Sequence, residues 1–314
     1  MKKIQGGIFS SILCGAFSTM MFPGCTGNHS AGKGGVSVDS VPIDTTVYLD
    51  AANPGSPNCQ IKLCFKYLKS DPHDSLTQVI NQTLEEAFFS AHAGMASPQA
   101  FVSAIRESLV HDYLKDVEDS YQADVKNGMK ADEIPNWYNY EFEIRSQLEG
   151  GKDNIWNYSV TTFQYTGGAH PNTWARWVNV DARDGHGLTK EEVFQKGADE
   201  EICKRIFVQL LADVNRKLET DTLTCLEGLN EVGVLLDTDL YIPDNFLLGK
   251  KGVTFLYNTY DIAPYYMGRF ELTVPYKEID IYFLFKQEII VHGYHFKIFP
   301  QPDRDAETAV CGVV

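Results

Sequence analysis

Tyr165-Thr166-Gly167-Gly168-Ala169-His170 is the stretch on which the fold turns. Ile155 to Tyr165 runs into it and Thr173 to Val180 runs out of it, both dense in Trp, Tyr, Val and Thr, residues that suit a half-buried pleated surface. Gly167 and Gly168 supply the freedom at positive φ that a reversing loop needs. The combination predicts a β-hairpin closed by a loop of about six residues.

Upstream, Trp137 to Leu148 alternates with Tyr138, Tyr140, Phe142 and Ile144 on one face, and Gly150-Gly151 marks the turn into the hairpin. Strands this close in sequence predict an antiparallel meander. Further back, Val47 to Ala52 and Cys59 to Lys69 read as strands, with Ile61, Leu63, Phe65 and Tyr67 forming one face of the second. Leu76, Val79, Ile80, Leu84, Ala87 and Phe88 follow helical spacing. Ser97-Pro98 then starts a long helix that reaches about Asn127, with an oxygen-bearing cap before a proline at the first helical position. Downstream, Thr189 and Glu192 form a capping box, flanked by Leu188 and Val193 as a hydrophobic staple. Ile202, Ile206, Phe207, Leu210, Val214 and Leu218 mark the next helix. Asn245 to Leu248 and Val253 to Tyr257 flank Gly249-Lys250-Lys251-Gly252 as a second hairpin, Arg269 to Val274 adds a strand stopped by Pro275, and Ile289 to Phe299 reads as one more. Helices grouped between runs of strands give an α+β class, with antiparallel sheets, helices packed on them and two consecutive subdomains.

The ends carry a different signal. Met1-Lys2-Lys3 precedes the apolar run Ile4 to Phe22, and Gly24 stands directly before Cys25, the pattern of a bacterial lipoprotein signal in which Cys25 becomes the lipidated first residue. The expected division is a signal peptide over 1–24, a Gly- and Ser-rich tether over 25–44, an N-terminal α+β domain over 45–175, a C-terminal α+β domain over 176–285 and an extension over 286–314. The chain holds 27 basic against 42 acidic residues; without Lys2 and Lys3 of the leader, 25 against 42 leave a net charge of −17. That balance disfavours nucleic acid and anionic membrane surfaces and permits a basic partner. Membrane contact is expected only through the lipid anchor, at the periplasmic face or outer membrane of a cell envelope. Cys59 and Cys64 are five residues apart on an extended strand, so at about 3.3 Å per residue they lie out of disulfide reach and read as small buried hydrophobes.

Several further stretches share an order. Tyr165-Thr166-Gly167-Gly168-Ala169-His170, Asn179-Val180-Asp181, Gly187 to Phe194, Tyr260 to Gly268 and Leu272 to Tyr276 follow one another as they do in a known envelope family. The chain resembles the pair of domains of unknown function in the extracellular part of RsiV-like anti-sigma factors, which also precede PdaC-like peptidoglycan deacetylase modules. That resemblance implies an envelope-exposed α+β module and, in the RsiV-like branch, lysozyme binding. With no sigma-binding segment plus membrane helix and no deacetylase module legible here, the expectation is a stand-alone lipoprotein.

Tyr257, Tyr260, Tyr265 and Tyr266, with Asp261 and Pro264 among them, make the densest aromatic loop, which suits a protein interface, stacking on sugar rings, or a buried loop core around Ile262. His170 reads either as a ligand or, more simply, as a residue that fixes its loop by hydrogen bonding. His292 and His295 are three apart on an apparent strand, a poor metal spacing. No nucleophile elbow, nucleotide loop or zinc-helix pair is present, and the carboxylates are scattered. The sequence therefore names no catalytic residue, metal or cofactor. Tyr260, Asp261, Tyr265, Tyr266 and His170 are the candidate ligand-binding residues, Cys25 the lipidation site. The first functional reading is a non-catalytic module for lysozyme or another cationic envelope protein. The alternatives are a peptidoglycan or glycan-fragment binder, and an envelope hydrolase.

Overall fold

A computed structural model describes residues 36–71, 73–130 and 134–284, together with the backbone of 290–291 and 294–295. Cys25, the leader and most of the C-terminal extension lie outside the described residues. A six-stranded sheet comes first: β1 (Ser37–Tyr48), β2 (Asn58–Lys69), β3 (Tyr140–Gly150), β4 (Ile155–Thr166), β5 (Asn172–Asp181) and β6 (Gly187–Leu188), neighbours in that order. Two helices, α1 (Ser75–Phe89) and α2 (Pro98–Lys126), interrupt the run between β2 and β3. Because the chain crosses over through them, β2 and β3 are parallel while every other adjacent pair is antiparallel. The meander expected from Trp137 through the hairpin holds over β3, β4 and β5, and the parallel β2–β3 pair joins it to the first two strands.

Strand alternation directs the packing. Cys59, Ile61, Leu63 and Phe65 of β2 are buried against the helices, and the Phe65 ring meets Phe88 of α1 and Phe101 of α2 edge-on, with centroids 5.2 and 4.9 Å away. Fully burying such side chains contributes about 1.5–3 kcal/mol each. Asp74 caps α1 by accepting from the Thr77 N–H, and Ser97 caps α2 by accepting from the Ala100 N–H at 3.1 Å.

Three strand boundaries move. The first ordered strand starts at Ser37, inside the stretch read as tether, because Val41 and Ile43 lie on the helix-facing side and pack on the first core. It ends at Tyr48, and Ala51-Ala52 form a turn. Asn136–Tyr138 is a 3-10 turn, so β3 begins at Tyr140; the Tyr138 hydroxyl instead donates to Asp124 at 2.6 Å. The hairpin loop spans five residues, 167–171. Within it only Gly167 has φ positive, at +79°, and a Cβ there would lie 2.2 Å from the Trp137 carbonyl oxygen.

The second core starts at Val193 and runs to Phe283. It joins α3 (Lys190–Val193), α4 (Asp199–Lys217), α5 (Leu226–Glu231) and the antiparallel sheet β7 (Phe246–Leu248), β8 (Gly252–Tyr257) and β9 (Phe270–Pro275), followed by α6 (Tyr276–Ile279). Ile202, Ile206, Leu210 and Val214 of α4 are fully buried, with acidic residues in its first turn and basic ones in its last, both favourable to the helix dipole. At α3, the Glu192 carboxylate accepts from the Thr189 N–H at 2.9 Å and from its hydroxyl at 3.0 Å. Ile290–Val291 pairs with Tyr294–His295, so the stretch read as a single late strand doubles back.

Candidate functional site

The two sheets meet where the first lacks a neighbour. β6 covers β5 only at Asn179 and Val180, which leaves the outer edge of β5 open earlier along the strand. Three asparagine amides close the gap, each presenting a donor and an acceptor as a peptide group does. Asn258 accepts from the Ala175 N–H at 2.7 Å and returns a bond to the Ala175 carbonyl at 2.9 Å. Asn245 accepts from the Trp177 N–H at 2.9 Å. Asn179, buried, works in the opposite direction: its amide donates to the Phe246 carbonyl at 2.9 Å and accepts from the Leu248 N–H at 2.7 Å, on the free edge of β7. This stitching fixes the 258–268 loop beside the β4–β5 loop.

Tyr265, Tyr260 and His170 are thereby brought together. The His170 and Tyr265 rings lie 4.5 Å apart, and the Tyr260 ring is 5.7 Å from that of Tyr265. His170 Nδ1 lies 3.0 Å from the Pro171 carbonyl, the loop-fixing role read as the simpler one. Tyr265 and Tyr260 are 43% and 60% exposed, and Tyr266 is 67% exposed with its hydroxyl donating to the Val232 carbonyl at 2.8 Å. Asp261 is exposed and caps the loop by accepting from the Asn258 N–H at 2.7 Å. Ile262, Ala263 and Met267 point inward, so the loop has both a buried core and a surface of rings. Tyr257 belongs to the core, where its hydroxyl donates to the Tyr241 carbonyl and burial pushes its pKa up. Tyr260 itself sits at φ +75°, a left-handed conformation that costs a side-chain-bearing residue about 1–2 kcal/mol. Such strain persists only where the surroundings enforce it.

The motif Asn179-Val180-Asp181 is structural. Asn179 joins the sheets, while the Arg183 guanidinium, 2.9 Å from Asp181, holds the Asp181 carboxyl below the usual carboxylate range and shapes the turn into β6. That turn rests on α1: Thr83 donates to the Gly185 carbonyl at 2.7 Å, and a Cβ on Gly185, at φ +80°, would meet Val79 at 2.8 Å. A groove of about 920 Å³ opens here between α1, β5 and residues 184–191. A second hollow of about 550 Å³ lies along α4 over Cys203, whose thiol burial pushes up to about 11. Neither coincides with the tyrosine loop. The groove escaped sequence reading because its walls lie about a hundred residues apart; only Gly185 and Gly187 hinted at a close approach.

Among the described residues no three His, Cys, Asp or Glu side chains gather as metal ligands, and no helix is long and apolar enough to cross a membrane.

Residues 191–277 match the family model of DUF3298, a protein of unknown function. The DUF3298 span takes in Asn245, Asn258 and the whole tyrosine loop, whereas His170 and Asn179 precede it. A crystallised DUF3298 family member from Bacteroides fragilis NCTC 9343 is 29% identical, with a TM-score of 0.70 over 80% of this chain and 94% of that one. A DUF3298 family protein from Pseudomonas aeruginosa PAO1 is 16% identical, with a TM-score of 0.48 over 79% of this chain and 94% of that one. No curated protein matches. The α+β arrangement of antiparallel sheets and packed helices is thus shared with a DUF3298 structure.

Proposed function

We propose that this chain is a lipid-anchored, non-catalytic binding module of the cell envelope, engaging a cationic envelope protein such as lysozyme through Tyr260, Tyr265 and Tyr266 with His170 beside them. One observation carries the reading: three tyrosines within seven residues stand 43% to 67% exposed while contacts with Val232 and His170 hold two of them in place. A tyrosine fixed in advance offers a large amphipathic contact at low entropic cost. The net charge of −15 adds attraction to a basic partner, effective over the Debye length of roughly 8 Å at physiological salt. Electrostatics then sets the rate of encounter and the rings set the lifetime of the complex.

Surface plasmon resonance on immobilised lysozyme tests this. Tyr265→Ala with Tyr266→Ala should leave the on-rate and its salt dependence intact and raise the off-rate. Absence of lysozyme binding by the native chain would sink this partner, and binding to soluble peptidoglycan fragments instead would favour the glycan reading of the same rings. The anchor is tested separately: Cys25→Ser should release the protein from membranes on fractionation.

A further inference from the structure

We propose that the groove between α1, β5 and residues 184–191 binds a short basic peptide segment with apolar side chains, independently of the tyrosine loop. The groove's two ends belong to different cores, α1 to the first and α3 to the second, and junctions of this kind are preferred positions for ligand sites. Its volume, about 920 Å³, is at the upper end of the roughly 300–1,000 Å³ typical of ligand pockets, room for several side chains and not one.

The lining chemistry selects the occupant. Apolar surface comes from Val79, 47% exposed on α1, and from half-buried Trp177 and Val178 on β5. Of the cations of the wall, Lys190 lies 2.9 Å from Asp244 and donates to the Ile242 carbonyl at 3.1 Å, while Arg176 donates to the Glu86 carbonyl at 3.1 Å, a neutral partner that leaves its charge in place. Three carboxylates of the lining, Glu86, Asp184 and Glu191, form no ion pair among the described residues and outnumber Arg176. Glu191 has no hydrogen-bond or ion-pair partner among the described residues, and the Glu86 carboxylate receives only a neutral bond, from Gln82 at 3.2 Å. A ligand with ammonium or guanidinium groups would pair with those carboxylates while its aliphatic stems and apolar neighbours cover Val79 and the indole face. An acidic peptide would meet a net excess of like charge, which Arg176 alone opposes. A neutral glycan would leave both carboxylates without a cation.

The test uses isothermal titration of the full chain with an acetylated, amidated hexapeptide of alternating lysine and leucine. The expected result is one-to-one binding, weakened about tenfold when Glu86→Gln and Glu191→Gln are combined, since two charge pairs at a partly screened rim account for roughly that factor. Both positions are exposed, so the double variant should fold as the native chain does, and circular dichroism confirms that. The matching glutamate–leucine peptide and N-acetylglucosamine tetramer should not bind. The Tyr265→Ala/Tyr266→Ala variant should bind the peptide as the native chain does, which separates this site from the tyrosine loop. No binding of the lysine peptide, undiminished binding by the double glutamine variant, or loss of binding in the tyrosine variant would each overturn the proposal.

Discussion

Asn179→Ala probes the joint on which the tyrosine loop depends. Asn179 is 1% exposed, and its amide satisfies the Phe246 carbonyl and the Leu248 N–H, neither of which faces another strand on that side of β7. Alanine leaves one backbone acceptor and one backbone donor buried without partners. At about 1–3 kcal/mol for each orphaned group, the expected loss is about 3 kcal/mol, with little relief from water because the surroundings are closed. For a chain of this size that lowers the melting temperature by about 6–12 °C. Guanidinium unfolding followed both by far-ultraviolet dichroism and by tryptophan fluorescence measures the loss. The same data show whether the two cores, stitched by this residue, still unfold together. Asn179→Asp should be no better, because it keeps the acceptor for Leu248 but turns an oxygen toward the Phe246 carbonyl and buries a charge. A loss under about 1 kcal/mol for alanine would refute the reasoning, showing that the orphaned groups find other partners at small cost.

Glu85 is buried on α1 and accepts from the Gly94 N–H at 2.8 Å, and desolvation raises its pKa. A raised carboxyl pKa favours the folded state below the unfolded value and withdraws that advantage as pH rises through the folded one. Glu85→Gln should therefore flatten the fall in stability between those two values, and an unchanged pH profile in denaturant titrations would count against it. Burial also pushes the Cys59 thiol up to about 12, while Cys225 is exposed. Iodoacetamide with peptide mapping at mildly alkaline pH should label Cys225 in the native protein and Cys59 only after unfolding; early labelling of Cys59 would place it at the surface. Thr189→Ala should cost about 1 kcal/mol through loss of the hydroxyl's bond to Glu192, read as a shift of the denaturation midpoint, and an unmoved midpoint would reduce the cap to decoration.

Local chemistry made much of this chain legible without coordinates. Ile61, Leu63 and Phe65 at period two, Ile202, Ile206, Leu210 and Val214 at helical spacing, Ser97-Pro98 and Thr189 with Glu192 each fix an element by forces acting within a few residues, and each element formed where those forces placed it. The density of tyrosines between Tyr257 and Tyr266 marked the candidate surface for the same reason. What the sequence left open depends on contacts between distant segments. Nothing near Ser37 announces that the strand starts there, because β1 is ordered by pairing along β2 and by the helices above it. The direction of β3 beside β2 follows from the crossover through α1 and α2, not from either strand's own residues. His170 and Tyr265 are 95 positions apart, and they touch because Asn258 and Asn245 complete the edge of β5 and Asn179 completes that of β7. An asparagine in a sequence is read as a turn residue, since its amide bonds nearby backbone so readily. Only once two unpaired strand edges face each other does the same amide become the group that joins them, and the tertiary structure alone decides that.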